Sequence, residues 1–377
     1  MKKLVIKNIG QILSGKLEEP IFDGDCIIVI DGKITEWGAE KDLDYEGATT
    51  LVDAHGVTVM PGLIDSHIHP VIGDYTPRQQ QLNWIDSTLH GGVTTLISAG
   101  EVHMPGRPKD IVGLKAMAIA AQRWYENFRP SGVKVHAGAP VIEHGMIEQD
   151  FKDLAEAGVT LLGEVGLGTV KDGKTARQMV GWARKYGIQS TIHTGGPSIP
   201  GSGLIDADMV IETGTDVIGH INGGHSALPD DQIICLCESC SSAFEIVHNG
   251  NERSAVLALN TARELGKLAP RILGTGGPAG SGVRPVGVVR MVAMWSAFGN
   301  VPAEKAFCFA HGNTSRQRNL DTGLIEAGYA ADFVILDKAQ HAPGQTMLKS
   351  VQLGNLPGVG MTIIDGEVTS GRSRNTP

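Results

Sequence analysis

Two histidines spaced two residues apart are the side chains of this sequence whose spacing most directly suggests chemistry. His67 and His69 close the stretch 59–69, Val-Met-Pro-Gly-Leu-Ile-Asp-Ser-His-Ile-His, in which apolar residues lead to a polar end. On a β-strand, residues two apart project from the same face. Two neutral imidazoles that converge at a strand end can bind a divalent metal. The alternative for a bare His-x-His pair is two polar residues at the exit of a strand.

Three other apolar runs also end in a side chain that can bind a metal. They contribute Glu164, His193 and His220. Each alone has an ordinary explanation, because a lone histidine in an apolar strand is often a core residue and a lone glutamate can be a buried ion-pair partner. With His67 and His69, however, they would form one centre if the runs are parallel strands of the same sheet.

The middle of the chain alternates apolar runs with helical patterns, and that alternation predicts a parallel sheet. The clearest helical pattern covers 108–128, with its apolar positions on one side. We predict a (β/α)8 barrel of the TIM type, in which the active site forms at the C-terminal ends of the strands. The strand candidates are 57–69, 93–99, 133–139, 159–165, 189–193, 216–221, 242–248 and 271–275.

Both ends of the chain consist of short β-like runs separated by glycine-containing turns. Neither end is long enough to bury a core of its own. We therefore predict a composite β-sandwich domain from residues 1–58 and 322–377, beside a barrel domain from 59–321.

Composition and charge exclude several classes of partner. The 377 residues carry a net charge of -9, so neither nucleic acid nor an anionic membrane is an expected partner. No apolar run reaches the ~18 residues that a membrane span needs, and the N-terminus resembles a strand instead of a signal peptide. Five cysteines, an odd number, favour a reducing cytoplasm. Three of them, at 235, 237 and 240, are predicted to be buried thiols on a helix that begins near 229–231.

The run Pro-Gly-Leu-Ile-Asp-x-His-x-His at 61–69 resembles the signature of the amidohydrolase superfamily, metal-dependent hydrolases built on a (β/α)8 barrel. The resemblance extends almost end to end to members that open cyclic amides. It implies hydrolysis of the C–N bond of a small cyclic amide that can carry a ring carboxylate, in a homo-oligomeric enzyme. The segments that carry it are 73–79, 89–95, 105–110, 163–169, 193–196, 198–202, 220–224 and 373–377.

The resemblance also implies roles for the five candidate ligands. His67 and His69 would bind one divalent metal ion, His193 and His220 a second, and Glu164 would bridge the two without any modified lysine. Zinc is the default metal, and iron or manganese are also compatible with nitrogen and oxygen ligands. Such a pair of metals polarises a carbonyl and converts a bridging water to hydroxide at neutral pH.

One position departs from the superfamily pattern. The resemblance implies an aspartate at the end of strand eight that binds metal and relays a proton, but Gly276 occupies that position. Loss of a general acid/base typically removes ~10²–10⁴ in rate. Three interpretations stay open: a substitution of the usual aspartate, a natural variant that uses another group such as His225, Glu101 or His103, or a protein that binds without turnover.

The loops after the first two strands contain the candidates for substrate binding. If the substrate carries a carboxylate, an arginine can bind it bidentately. The alternative for each arginine is a surface or helix-cap charge. The four candidates are Tyr75, Arg78, His103 and Arg107.

Two other functions compete with a binuclear cyclic-amide hydrolase. A catalytically silent relative would bind metal and ligand without hydrolysis. A mononuclear deaminase of the same superfamily would hold one metal and give Glu164 no bridging role.

Overall fold

The computed structural model describes residues 1–71, 81–104, 106–278 and 282–371. Its strands are β1 Lys3–Lys7, β2 Gln11–Leu13, β3 Ile21–Phe22, β4 Cys26–Ile30, β5 Lys33–Gly38, β6 Thr50–Asp53, β7 Thr58–Pro61, β8 Leu63–Ile68, β9 Val93–Ser98, β10 Lys134–His136, β11 Thr191–Ile192, β12 Val217–Ile218, β13 Ala243–Val247, β14 Arg271–Gly274, β15 Phe333–Asp337, β16 Gly358–Ile364 and β17 Glu367–Ser370. Its α-helices are α1 Gln81–Thr88, α2 Ile111–Asn127, α3 Glu148–Glu156, α4 Gly173–Lys185, α5 Ala207–Thr213, α6 Asp230–Ser239, α7 Glu252–Glu264, α8 Gly287–Phe298, α9 Ala303–Cys308, α10 Gly312–Arg318 and α11 Met347–Gln352.

The middle of the chain forms two parallel sheets, ordered β10-β9-β8 and β11-β12-β13-β14. Helices α1 to α8 alternate with these strands, as the sequence predicted. The predicted strand 159–165 is not a regular strand. It is held by isolated parallel bridges from Leu161 to Gln189 and from Val165 to Ile192. After β14, the amide of Gly276 donates to the carbonyl of His67 at 2.9 Å, which links the last parallel strand to the first.

The apolar run 57–69 was predicted as one strand, but in the structure it forms two strands, so that prediction was wrong. β7 pairs with β15 and β2 in a sheet at the chain ends, whereas β8 pairs with β9. The change occurs at Gly62, whose amide donates to the carbonyl of Asp332, while the next amide donates to Gly92. A Cβ at Gly62 would lie 2.1 Å from the Thr94 hydroxyl oxygen, so only glycine allows this close crossing.

Strands from both ends of the chain form the two remaining sheets, ordered β5-β4-β1-β6 and β17-β16-β15-β7-β2-β3. Ile6 and Ile27 of the first sheet belong to the same buried apolar cluster as Phe333 and Ile363 of the second. The ends of the chain therefore share one core, as expected from their short length.

Two local predictions can be compared directly. The helix predicted at 108–128 is α2, whose N-cap Asp110 accepts from the Gly113 amide at 2.8 Å. The predicted cysteine helix is α6, but only Cys237 of the three thiols is fully buried. Within the described residues, none of the helices has both the length and the apolar character needed to span a membrane.

Candidate metal centre

His67 and His69 lie at the C-terminal end of β8 with their imidazoles on one side. Their Nε2 atoms are 3.3 Å apart, as the two-residue spacing on a strand predicts. Each ring is held through its other nitrogen. His69 Nδ1 lies 2.9 Å from the Gly100 carbonyl, and His67 Nδ1 lies 2.5 Å from a carboxylate oxygen of Glu245. Because these neighbours only accept, both Nδ1 atoms carry a proton, and in the neutral rings both Nε2 atoms present a lone pair.

Glu164 lies between the two pairs of histidines that the sequence brought forward. Its Oε1 is 2.6 Å from His220 Nε2 and 3.2 Å from His193 Nδ1. His67 Nε2 is 3.8 Å from the same oxygen, and His69 Nε2 is 3.6 Å from Oε2. The four predicted histidine ligands therefore converge on the buried carboxylate of the fifth, Glu164. Among them, His67, Glu164 and His220 have ligand atoms that all lie within 4.8 Å of one another.

The hydrogen bonds around this cluster turn accepting imidazole nitrogens towards the accepting oxygens of Glu164. His193 Nε2 lies 2.8 Å from the Gly196 carbonyl and must donate to it, so in the neutral ring Nδ1 turns a lone pair towards Glu164. His67 and His69 also turn lone pairs towards this carboxylate, which when ionised can only accept. Lone pairs that converge in a buried site require a proton or a metal cation between them. Imidazole nitrogens with a carboxylate form a donor set that suits a divalent transition metal.

The ionisation of these groups supports a cation site. Although burial opposes ionisation, the neighbouring His220 and His67 hold the pKa of Glu164 well below its usual range. Burial lowers the pKa of His69 to about 3, with His103 adding to the shift. For His67, burial is outweighed by Glu245 and Glu164, which raise the pKa to about 8. Without metal, a proton on His67 therefore supplies positive charge that a metal would replace.

His220 is positioned by an unusual backbone. Its φ of 34° lies in the left-handed region, which non-glycine residues seldom adopt and which often occurs at functional sites. Its carbonyl accepts from the Thr194 hydroxyl at 2.8 Å. Beyond it, Asn222 is hydrogen-bonded in both directions to the backbone of Val247 on β13. These contacts hold the His220 loop in place.

Of the four candidates for substrate binding, the structure describes His103 and Arg107. Tyr75 and Arg78 lie outside the described residues. The His103 ring packs edge-on against His69, with ring centroids 4.9 Å apart, so it borders the cluster. Arg107 is not a surface charge: its side chain is 8% exposed and its Nη1 lies 3.4 Å from Glu143 Oε1.

The backbone at Gly276 is adapted to glycine. Its φ is 73°, and its carbonyl accepts from Asn249 Nδ2 at 2.5 Å. A Cβ there would lie 3.0 Å from Asn249 Nδ2 and 3.1 Å from Asn249 Cβ. Of the substitute proton carriers, Glu101 uses its oxygens to accept from the Gly138 and Ala139 amides, so it is a structural group. His225 is exposed, which leaves His103 as the substitute that contacts a cluster histidine.

Sequence reasoning missed two acidic residues beside the cluster. Glu245, in the middle of β13, contacts His67 and is completely buried. Asp65 accepts from the Thr275 amide at 2.8 Å and from the Thr275 hydroxyl at 2.6 Å, which fixes the end of β14 beside β8. The available signal was a charged residue within an apolar strand, which is rare unless that residue has a buried partner.

Comparison with known proteins identifies the family. No model of a known protein family matches the chain. The chain is 44% identical over 377 residues to enamidase from Eubacterium barkeri, an alignment that covers 100% of this chain and 98% of that protein. A dihydroorotase from Streptococcus pneumoniae is 28% identical over 199 residues, covering 52% of this chain and 44% of that protein.

Solved structures agree with this relationship. The crystal structure of enamidase, described as a member of the amidohydrolase superfamily, matches with a TM-score of 0.95 and 43% identity over 100% of this chain and 98% of that one. A β-aspartyl dipeptidase from Fervidobacterium islandicum matches with a TM-score of 0.67 at 16% identity, covering 100% of this chain and 98% of that one, which supports the fold alone. The resemblance stated from the sequence motifs is therefore confirmed: the chain is a hydrolase that belongs to the enamidase family of the amidohydrolase superfamily.

Proposed function

We propose that this protein hydrolyses the C–N bond of a six-membered cyclic amide, with two divalent metal ions held by the histidine cluster around Glu164. The full-length relationship to enamidase supports the reaction class. The observation that carries the proposal is the convergence of four imidazole rings on one buried carboxylate. When bound, two such cations would polarise a carbonyl and activate water at neutral pH.

The proposed pairing of the ligands follows the superfamily resemblance. His193 and His220 would hold one metal, and His67 and His69 would hold the second. In the structure His69 approaches Oε2 of Glu164, and the other three histidines approach Oε1. Glu164 would bridge them. Imidazole nitrogens approach both carboxylate oxygens, which favours a bridging role for Glu164 over a mononuclear deaminase. Zinc is our first choice, with iron or manganese as alternatives.

The proposed substrate is a small cyclic amide that can carry a carboxylate. Arg107 would meet that carboxylate from its buried position beside Glu143. His103 would border the reacting ring, because it packs against His69. Tyr75 and Arg78 remain predictions for the same role.

A silent relative, which binds metal and ligand without turnover, is the second candidate. The observation in its favour is Gly276, where the left-handed backbone and the Asn249 side chain crowd the position of the usual aspartate. Glu101 is engaged with backbone amides and cannot take its place. We therefore propose that the hydrolytic activity of this protein is lower than that of relatives with an aspartate at this position.

We also infer an architecture and a setting for this enzyme. The backbone hydrogen bonds that link successive parallel segments support a closed (β/α)8 barrel over 59–321. The shared apolar cluster supports a sandwich domain of 1–58 and 322–377. β7 spans the boundary between this domain and the barrel domain, and it pairs with β15 of the sandwich. A homo-oligomeric assembly and a cytoplasmic location stay predictions.

The test combines metal analysis with hydrolysis of a panel of six-membered lactams. We expect two metal ions per chain, and Glu164→Gln should lower this number because a neutral amide is a poor bridge. Glu101→Gln is the matched control, since it neutralises another buried acid after a strand, one whose oxygens accept from the Ser98 hydroxyl and the Gly138 and Ala139 amides. Two metals retained in folded Glu164→Gln would rule out the bridge. Metal binding without hydrolysis of any lactam would favour the silent relative.

A further inference from the structure

Glu245 is a buried acid that the proposed reaction does not use. It lies in the middle of β13, between the apolar residues Phe244 and Ile246, and has no exposed surface. Burying an ionised carboxylate is costly unless charge and hydrogen bonds compensate it. The partners that compensate Glu245 therefore indicate why the strand contains it.

Both carboxylate oxygens of Glu245 have defined partners. Oε2 lies 2.5 Å from His67 Nδ1, and Oε1 accepts from the Ser66 hydroxyl. The Arg318 guanidinium, also buried, approaches Oε1 at 3.7 Å. Arg318 also donates to the Ser66 carbonyl at 3.4 Å and to the Thr191 hydroxyl at 3.3 Å. Of the two groups that can carry a positive charge, the imidazole is therefore closer to the carboxylate, and Arg318 adds a second positive charge at 3.7 Å.

We propose that Glu245 is a positioning residue that keeps the proton of His67 on Nδ1, so that Nε2 presents its lone pair to the metal site. This inference rests on the proposed function, because it assumes that His67 is a ligand. Carboxylates that orient a ligand histidine fix its tautomer, and their loss typically costs 10–100-fold in metal affinity. Arg318 is the countercharge that makes an ionised Glu245 tolerable in the core.

The isosteric variant Glu245→Gln makes the proposal testable because an amide has one accepting and one donating end. Arg318 can only donate, so the amide oxygen should face Arg318 and Ser66. The amide NH₂ would then face His67 Nδ1, which must accept. The ring proton moves to Nε2 and removes the lone pair from the metal side.

Two measurements test this reasoning. In the metal-free protein at alkaline pH, long-range proton–nitrogen correlation spectra report the His67 tautomer, with a His67→Gln variant for assignment. Zinc affinity is measured by competition with a chromophoric chelator. We expect the Nδ1–H tautomer in the parent, the reversed tautomer in Glu245→Gln, and zinc affinity lowered ~10–100-fold. Glu143→Gln is the matched control. It neutralises another buried glutamate beside an arginine, but that carboxylate accepts from Arg107 and the Thr169 amide, so zinc affinity should not change.

A double variant guards against a misfolded single variant. Glu245→Leu/Arg318→Met removes both charges together, which buried ion pairs often tolerate, and zinc affinity should still fall. The parent tautomer and parent zinc affinity in Glu245→Gln would overturn the proposal, as would parent affinity in the double variant. If the parent itself binds no zinc, manganese or iron, the proposed function fails, whereas the tautomer comparison still decides the role of Glu245.

Discussion

Replacing Gly276 with aspartate would restore the residue that the superfamily pattern expects at the end of the last parallel strand. The structure predicts a cost for this change. With φ at 73°, a side chain costs roughly 1–2 kcal/mol, although aspartate is among the residues that tolerate this region best. The new Cβ would press on Asn249, whose amide donates to the Gly276 carbonyl, and a lost hydrogen bond adds about 1 kcal/mol. We expect Gly276→Asp to lower the free energy of unfolding by about 2–3 kcal/mol.

The same variant should gain activity if a carboxylate is the missing proton carrier. A positioned general acid/base contributes at least ~10² in rate, or about 3 kcal/mol of barrier. The assay is lactam hydrolysis by metal-loaded protein, with urea unfolding measured in parallel. Gly276→Asn is the matched control, because it has nearly the same shape and backbone strain but no carboxylate. Asn249→Ala, added to Gly276→Asp, should recover part of the lost stability by removing the contact.

Two results would refute this reasoning. Equal hydrolysis rates for the aspartate and asparagine variants would mean that no carboxylate is missing at Gly276. Unchanged stability of both variants would mean that neither the left-handed backbone nor Asn249 constrains this position.

Three further predictions concern stability. Burial lowers the pKa of His311 to about 3, from the usual ~6.5. Between these two pH values the unfolded chain binds one proton more than the folded protein, so the free energy of unfolding falls as the pH drops. Urea unfolding should show a loss of about 2 kcal/mol from this group between pH ~7 and ~5, and His311→Asn, which can still cap its helix, should reduce that pH dependence. Lys134→Met should cost about 3–5 kcal/mol in urea unfolding because it leaves the fully buried Asp332 carboxylate, 2.7 Å away, without its cation; the exposed Lys2→Met is the control and should change nothing measurable. Removing metal with a chelator should lower the melting temperature, and zinc at about 100 times its Kd should restore about 2.7 kcal/mol; a Glu164→Gln protein that regains the full shift would argue against the cluster as the site of binding.

The parallel strands and the ligand types could be read from local patterns. Strand-and-helix alternation, together with polar residues at the ends of apolar runs, located His67, His69 and the other three candidates. Such periodicity is local because it depends on which face of a strand or helix a side chain occupies. The two-residue spacing even anticipated that the His67 and His69 rings would lie side by side. Full-length similarity to enamidase agrees with the motif-based assignment.

Strand boundaries were less accessible to sequence reasoning. The apolar run 57–69 looks continuous, yet β7 and β8 belong to different sheets, because the backbone changes hydrogen-bond partners at Gly62. The segment around Glu164 reads as a strand but is held by isolated bridges. Pairing partners lie far away along the chain, and a hydrophobic pattern does not encode them.

The sequence by itself indicated the candidate metal ligands and placed them after apolar segments, because residue type and local period suffice for that. Only the tertiary structure decided which nitrogen of each imidazole faces the site, that Arg107 is buried against Glu143, and that Gly276 is crowded by Asn249. It also brought Glu245 to His67 across 178 positions of the chain. Hydrogen-bond partners of this kind are set by the register between distant strands, and that register exists only after the chain has folded.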